Sequence, residues 1–212
     1  MRRVFFVGIA CHQAGATVAT AAPDCVPVNR TREVKDVVRV LRIERWPPGK
    51  APDLARTLWN RMHPHPVRED PEAEADRIEI LLDASDLIVA YPVSRELHRV
   101  LGRSPRVQMR ALSFVTGAAP PSRSSDWRTL FGITRATSEL AALLAEGKFV
   151  VSAGLDLADE LRQQMKIGTA PRRGANPDDG PGDLAIAALL SSLLFKRYET
   201  AGTAGWVPMR NP

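Results

Sequence analysis

Apolar residues recur along this chain in two different periods. Near the start they come in short runs: "RRVFFVGIAC" (2–11) and "ATVATAA" (16–22), joined by "HQAG", read as a β-hairpin. "DVVRVLRIERW" (36–46) sets Val38, Val40 and the Leu41/Ile43 pair among arginines, which predicts a third strand with one wetter face. Three strands in succession imply an antiparallel start. The period then changes. In "PPGKAPDLARTLWNRM", Leu54, Leu58 and Trp59 share one face with Met62 a turn further on, so the segment reads as a helix entered through Pro52. Prolines in "HPHP" forbid its continuation.

"RIEILLD" (77–83) is a fourth strand, an apolar run that stops on an acid, Asp83. "PVSRELHRVLG" is helical as far as Gly102, and "RVQMRALSFVTG" is the fifth strand. The stretch 117–130 is rich in Pro, Ser and Ala without periodicity and reads as a loop. "ATSELAALLAEGK" and "LADELRQQMK" are helices on either side of "FVVSAG", a short strand or edge. "IGTAPRRGANPDDGPG" is a second loop. "DLAIAALLSSLLFKRYE" is apolar around nearly its whole circumference, which argues for a closing helix buried against a sheet. The result is an α/β chain with a mixed sheet, one domain over 1–199 and a loosely attached tail over 200–212.

Composition narrows this further. At 212 residues and 44 % hydrophobic, the chain can bury one substantial core. No run of about 18 apolar residues occurs, and the N-terminal stretch does not have the form of a signal peptide, so a cytoplasmic protein that does not cross a membrane is expected. Cys11 and Cys25 form neither a disulfide framework nor a metal spacing. The charge is +5, from 29 basic and 24 acidic residues, and nearly all the basic residues are arginine. Arginine suits phosphate, so a nucleic-acid partner is permitted, although genomic base composition explains arginine richness equally well. Aromatics are only 6 %, and no basic segment interleaves them as stacking platforms. There is no Gly-x-x-x-x-Gly-Lys loop for ATP and no Gly-x-Ser-x-Gly elbow for a serine hydrolase.

Several segments together resemble the nuclease domain of phage large terminase subunits, in its stand-alone form. "VGIACHQ", "LLDASDL" and "PGDLAIA" stand where that family has its first-strand, fourth-strand and last-helix acid motifs, and "LRIERWPPGK", "SELAALLAEGKFVV" and "LADELRQQM" follow in the family's order. The resemblance spans residues 3–197. It implies a ribonuclease H-like fold: a mixed five-stranded sheet, three antiparallel strands first, flanked by helices, with the first and fourth strands adjacent at its centre. It also implies phosphodiester hydrolysis by two divalent ions, Mg²⁺ or Mn²⁺, held by converging carboxylates, with DNA as substrate. Asp83 and Asp183 take the positions of catalytic and metal-binding acids. Arg135, Arg172 and Arg173 are candidates for phosphate contact or ordinary surface charge. A packaging role would need a separate ATPase or phage packaging protein.

The departures from the family pattern bear on activity. Ala10 stands at the first-strand acid, Gly182-Asp183 replaces a pair of acids with Pro181 before it, and Asp86 and Ile88 replace glycines after Asp83. With so few carboxylates the repulsion between two divalent ions is poorly compensated. The resemblance therefore implies a degenerate DNA endonuclease, impaired in catalysis, or a catalytically silent DNA-binding or assembly module. Each acid also has a plainer reading, since Asp83 can cap the turn after its strand and Asp183 can cap its helix. Asp178 and Asp179 are substitute ligands or solvated loop acids, and His63 and His65 are metal ligands or surface residues. His12 is the histidine nearest the expected site.

Overall fold

The structure, a computed structural model, describes residues 4–27, 34–62, 77–115, 117, 122–123, 128–152, 154–169 and 182–201. His63, His65, Arg172, Arg173, Asp178, Asp179, Pro181 and the tail beyond 201 lie outside the described residues. Strands β1 (Val4–His12), β2 (Gly15–Pro27) and β3 (Val34–Trp46) form the expected antiparallel start. Helix α1 (Ala51–Met62), strand β4 (Arg77–Asp83), helix α2 (Leu87–Leu101) and strand β5 (Val107–Val115) follow. The remaining elements are β6 (Ser122–Arg123), β7 (Arg128–Gly132), α3 (Ile133–Ala145), β8 (Phe149–Val151), α4 (Ala158–Thr169) and α5 (Asp183–Ala201).

Among the described residues eight strands make one sheet in the order β6-β7-β5-β4-β1-β2-β3-β8. The five strands read from the sequence are its contiguous middle, and β1 pairs in parallel with β4 at the centre. Three short strands extend it. β8 is the short strand or edge read at "FVVSAG", whereas β6 and the start of β7 lie within the stretch read as a loop, because two and five residues carry too little alternation to be recognised. β2 runs on past residue 22 through Pro23, pairing with β3 as far as Pro27. Helix α2 starts at Leu87 rather than at Pro92. Asp86 caps it by accepting from the Ile88 N–H at 3.0 Å, and Pro92 is carried inside the helix.

Two apolar layers enclose the sheet. On one face α5 packs on Phe6, Ala10, Ala19, Val40 and Leu81, with α3 and α4 beside it. On the other, α1 and α2 pack on Val7, Ile9, Val18, Ile80 and Leu82. Leu184 to Ser192 are all buried, as the unbroken apolar character of this helix predicts. Gly8 permits this closeness, because a side chain there would overlap the Ala187 carbonyl oxygen. Among the described residues no helix is long and apolar enough to cross a membrane.

A bulge decides which β3 side chains meet α5. Thr20 pairs with Arg42 and Ala21 with Val40, so Leu41 is an extra residue in the ladder. Without it, the alternation that turns Val38 and Val40 inward would continue to Arg42 and Glu44. With it, Ile43 and then Arg45 take the α5 face.

Candidate functional site

The Gly8–Ala187 contact fixes what stands above it. Two residues along β1, ~6.6 Å, lies Ala10; four residues back along α5, ~6 Å, lies Asp183. Both therefore come to the same rim of the sheet. Ala10 pairs with Thr17 on β2. On its other side the β1–β4 ladder reaches Ile9–Leu82, so the next step up is Ala10 beside Asp83. Asp83 has the parity of Leu81, which faces α5. The three positions taken from the resemblance thus belong to one end and one face of the sheet.

Asp183 is held by donors from three other elements. Thr17 Oγ1 donates to its Oδ2 at 2.5 Å, and Arg45 Nε donates to the same oxygen at 3.0 Å. Its Oδ1 accepts from Arg45 Nη2 at 3.3 Å and Gln164 Nε2 at 3.4 Å. A carboxylate has about four lone-pair sites, so these four donors occupy its accepting capacity. Although burial opposes it, bonding to Arg45, Thr17 and Gln164 holds the Asp183 pKa down at about 2. Arg45 also grips Glu160 on α4, through Nη2 to Oε1 at 2.5 Å and Nη1 to Oε2 at 3.2 Å. Held between two carboxylates, its guanidinium keeps its proton even more tightly than usual. Asp183 does not cap its own helix. That task falls to Gln164, whose Oε1 accepts from the Leu184 and Ala185 N–H groups at 3.0 and 3.2 Å.

His12 extends this chain of bonds to the surface. Its Nε2 lies 3.2 Å from Thr17 Oγ1 and 3.8 Å from Asp183 Oδ2. Because the Thr17 hydroxyl hydrogen goes to the carboxylate, His12 Nε2 donates to the hydroxyl oxygen.

Asp83 is held separately. Its Oδ1 accepts from the Ser85 N–H at 2.9 Å and the Ser85 hydroxyl at 2.6 Å, a turn that ends β4. Ser85 Oγ in turn accepts from the Phe114 N–H at 2.9 Å, tying the turn to β5. Burial, opposed by the Ser85 bonds and assisted by Asp86, raises the Asp83 pKa above its ordinary value. Asp83 and Asp183 share no hydrogen-bonding partner among the described residues. Thr17 and Asp83 lie two strand spacings apart, ~9.6 Å, and the side chain between them is the Ala10 methyl.

Arg135 lies on α3 and bonds to Glu139 at 3.4 Å, away from this group of side chains. Cys11 faces the α1/α2 layer, where burial, with Asp83 and Asp86 nearby, pushes its thiol up to about 12. Cys25 is exposed, and its Sγ donates to Asp36 at 3.3 Å. Thr17, Arg45, Glu160 and Gln164 escaped the sequence reading. The one signal for Thr17 was a hydroxyl in an otherwise apolar inward row, now fully buried.

No family model matches the chain, and no curated protein matches it. Among solved structures, the chain is similar to the human cytomegalovirus terminase nuclease domain, Mn soaked and inhibitor bound. The TM-score is 0.51 at 11 % identity, covering 90 % of this chain and 83 % of that one. The chain has a terminase-nuclease-like fold. This ribonuclease H-like architecture accounts for the central β1–β4 pair, the antiparallel start and the helix buried across them. The donor set, however, does not fit the divalent ions that the resemblance implies. Among the described residues no group of three His, Cys, Asp or Glu side chains could hold a metal ion. Position 10 has no ligand atom, and the oxygens of Asp183 are already bonded to protein donors that include a cation.

Proposed function

We propose that this protein is a terminase-nuclease-like protein of phage or prophage descent that engages DNA and is impaired in two-metal cleavage. The observation that carries the reading is Arg45. Its guanidinium lies against Asp183 and supplies, from within the chain, the positive charge that a divalent ion would otherwise bring. A divalent ion would have to displace that arginine and find oxygen ligands to replace the one missing at Ala10. Within this site the residues have structural work to do: Thr17, Arg45 and Gln164 fix Asp183, and Gln164 joins α4 to the start of α5. The net charge of +5 supports retention of a polyanion. A packaging role would depend on a separate ATPase partner.

The second reading, residual metal-dependent endonuclease activity, is favoured by one observation. Only Oδ1 of Asp83 is engaged among the described residues, which leaves Oδ2 as a candidate ligand for Mg²⁺ or Mn²⁺. Supercoiled plasmid separates the two. The main reading expects the wild type to retard plasmid in a gel without nicking it in either metal. Nicking that needs metal and disappears in Asp83→Ala would establish the second reading instead.

A further inference from the structure

A second charged region lies on the opposite face, between α2 and β5. From Arg95 to Arg110 the chain carries five arginines and a single acid, Glu96. Glu96 pairs with Arg99 at 2.7 Å and sits 3.8 Å from Arg95. Among the described residues Arg103 and Arg106 have no ion-pair partner, and both are exposed.

Two of the five arginines, Arg95 and Arg110, line a cavity of about 480 Å³, large enough for a small organic group. Its floor includes Ile80, Leu82, Met109 and Ala111, and its α2 wall carries Tyr91, Arg95 and His98. Tyr91, Arg95 and His98 follow at i, i+4 and i+7, so they form one stripe along the helix. Tyr91 is 58 % exposed, unusual for an aromatic residue with no interior role, and the Arg95 side chain is 67 % exposed. His98 Nδ1 donates to the Ser94 carbonyl at 2.9 Å, which leaves Nε2 for a ligand.

We infer that the α2–β5 groove binds single-stranded nucleic acid, with a base on Tyr91 and the apolar floor and the phosphate backbone against Arg95. Apolar walls alone would suit a peptide or lipid, and arginines alone any polyanion. An exposed ring, an apolar slot and planar cations along one line suit a flexible strand whose bases are free of a duplex. Base-paired DNA keeps its base faces stacked and cannot offer them to Tyr91. The groove lies on the α1/α2 face, whereas Asp183 lies on the α5 face, so this inference does not depend on the reading of the acid site.

The test is fluorescence anisotropy with a labelled oligothymidylate, at several salt concentrations, on the full chain and on variants checked for native circular dichroism. Tyr91→Ala is expected to weaken binding at least five-fold, from the usual ~1–3 kcal/mol of base stacking. Arg95→Gln is expected to weaken it and to flatten the salt dependence by ~0.7 in logarithmic slope for the phosphate no longer neutralised. Plasmid retardation should persist in both. The inference is overturned if wild type does not bind the strand, or if neither variant changes the affinity. It is also overturned if polyglutamate competes equally well and Tyr91→Ala has no effect, which would mark a generic polyanion surface. Loss of plasmid and strand binding together would place both on one surface and overturn a separate groove.

Discussion

The rim at Asp183 and the turn from α2 to β5 use the same side-chain type in opposite ways. At the rim, the half-exposed Arg45 is paired with two carboxylates of its own chain, which neutralise its charge. In the turn, Arg103 and Arg106 face water with no acid among the described residues to neutralise them. An overall charge of +5 therefore says little about where a polyanion would bind. What matters is which cations the fold has already paired. The rim's arginine joins β3, α4 and α5, whereas the two arginines of the turn form no ion pair among the described residues and remain available.

The comparison breaks most severely at Gly8. Gly8→Ala places a methyl in the Ala187 carbonyl and should lift α5 from the sheet, at a cost of about 3 kcal/mol. Urea unfolding would measure the loss. The groove, on the other face, should keep its strand affinity per folded molecule.

Asp183→Asn comes next. The pKa of Asp183 lies below its unfolded value of 3.8, at about 2, so ionised Asp183 stabilises the fold above pH ~4. The stabilisation is lost as pH falls through about 2. The asparagine variant should be about 2 kcal/mol less stable at pH 7, and the gap should close over that acidic window. Unfolding midpoints at a series of pH values give the answer.

Asp83 should behave with the opposite sign. Its folded pKa is raised by burial, so its contribution is fully present below pH 3.8 and is lost as pH rises through the folded value. Asp83→Asn keeps an oxygen for Ser85 and should equal or exceed wild-type stability at pH 7. A marked loss of stability would mean that the Asp83 charge is compensated in the fold. The smallest effect on stability belongs to the turn from α2 to β5: Arg103→Gln should stay within about 0.5 kcal/mol of wild type by urea unfolding.

Much of this was legible in the chain. Short alternating runs gave three antiparallel strands, "RIEILLD" gave the central strand ending on Asp83, and the all-round apolar helix gave α5. Arg45 was not legible as a partner of Asp183. The two are 138 residues apart, and their meeting depends on the extra residue Leu41, which reverses the alternation late in β3. Arg45 therefore read as part of a wetter face. Gln164 was hidden for a similar reason: it caps α5 from another helix, where local sequence suggests that Asp183 caps itself. Asp83 also read as a turn cap, the less favoured of its two readings, and its bonds to Ser85 are those of one.

The central claim is that Arg45 is the resident cation of the acid site, and calorimetric titration with Mn²⁺ tests it most directly. Wild type and the Ala10→Asp/Arg45→Ala double variant would be compared, because the latter supplies the missing carboxylate and removes the internal cation. The account predicts no saturable binding in wild type and saturable binding in the double variant. Saturable Mn²⁺ binding by wild type that is abolished in Asp183→Asn would contradict it, since Asp183 would then be a metal ligand despite Arg45.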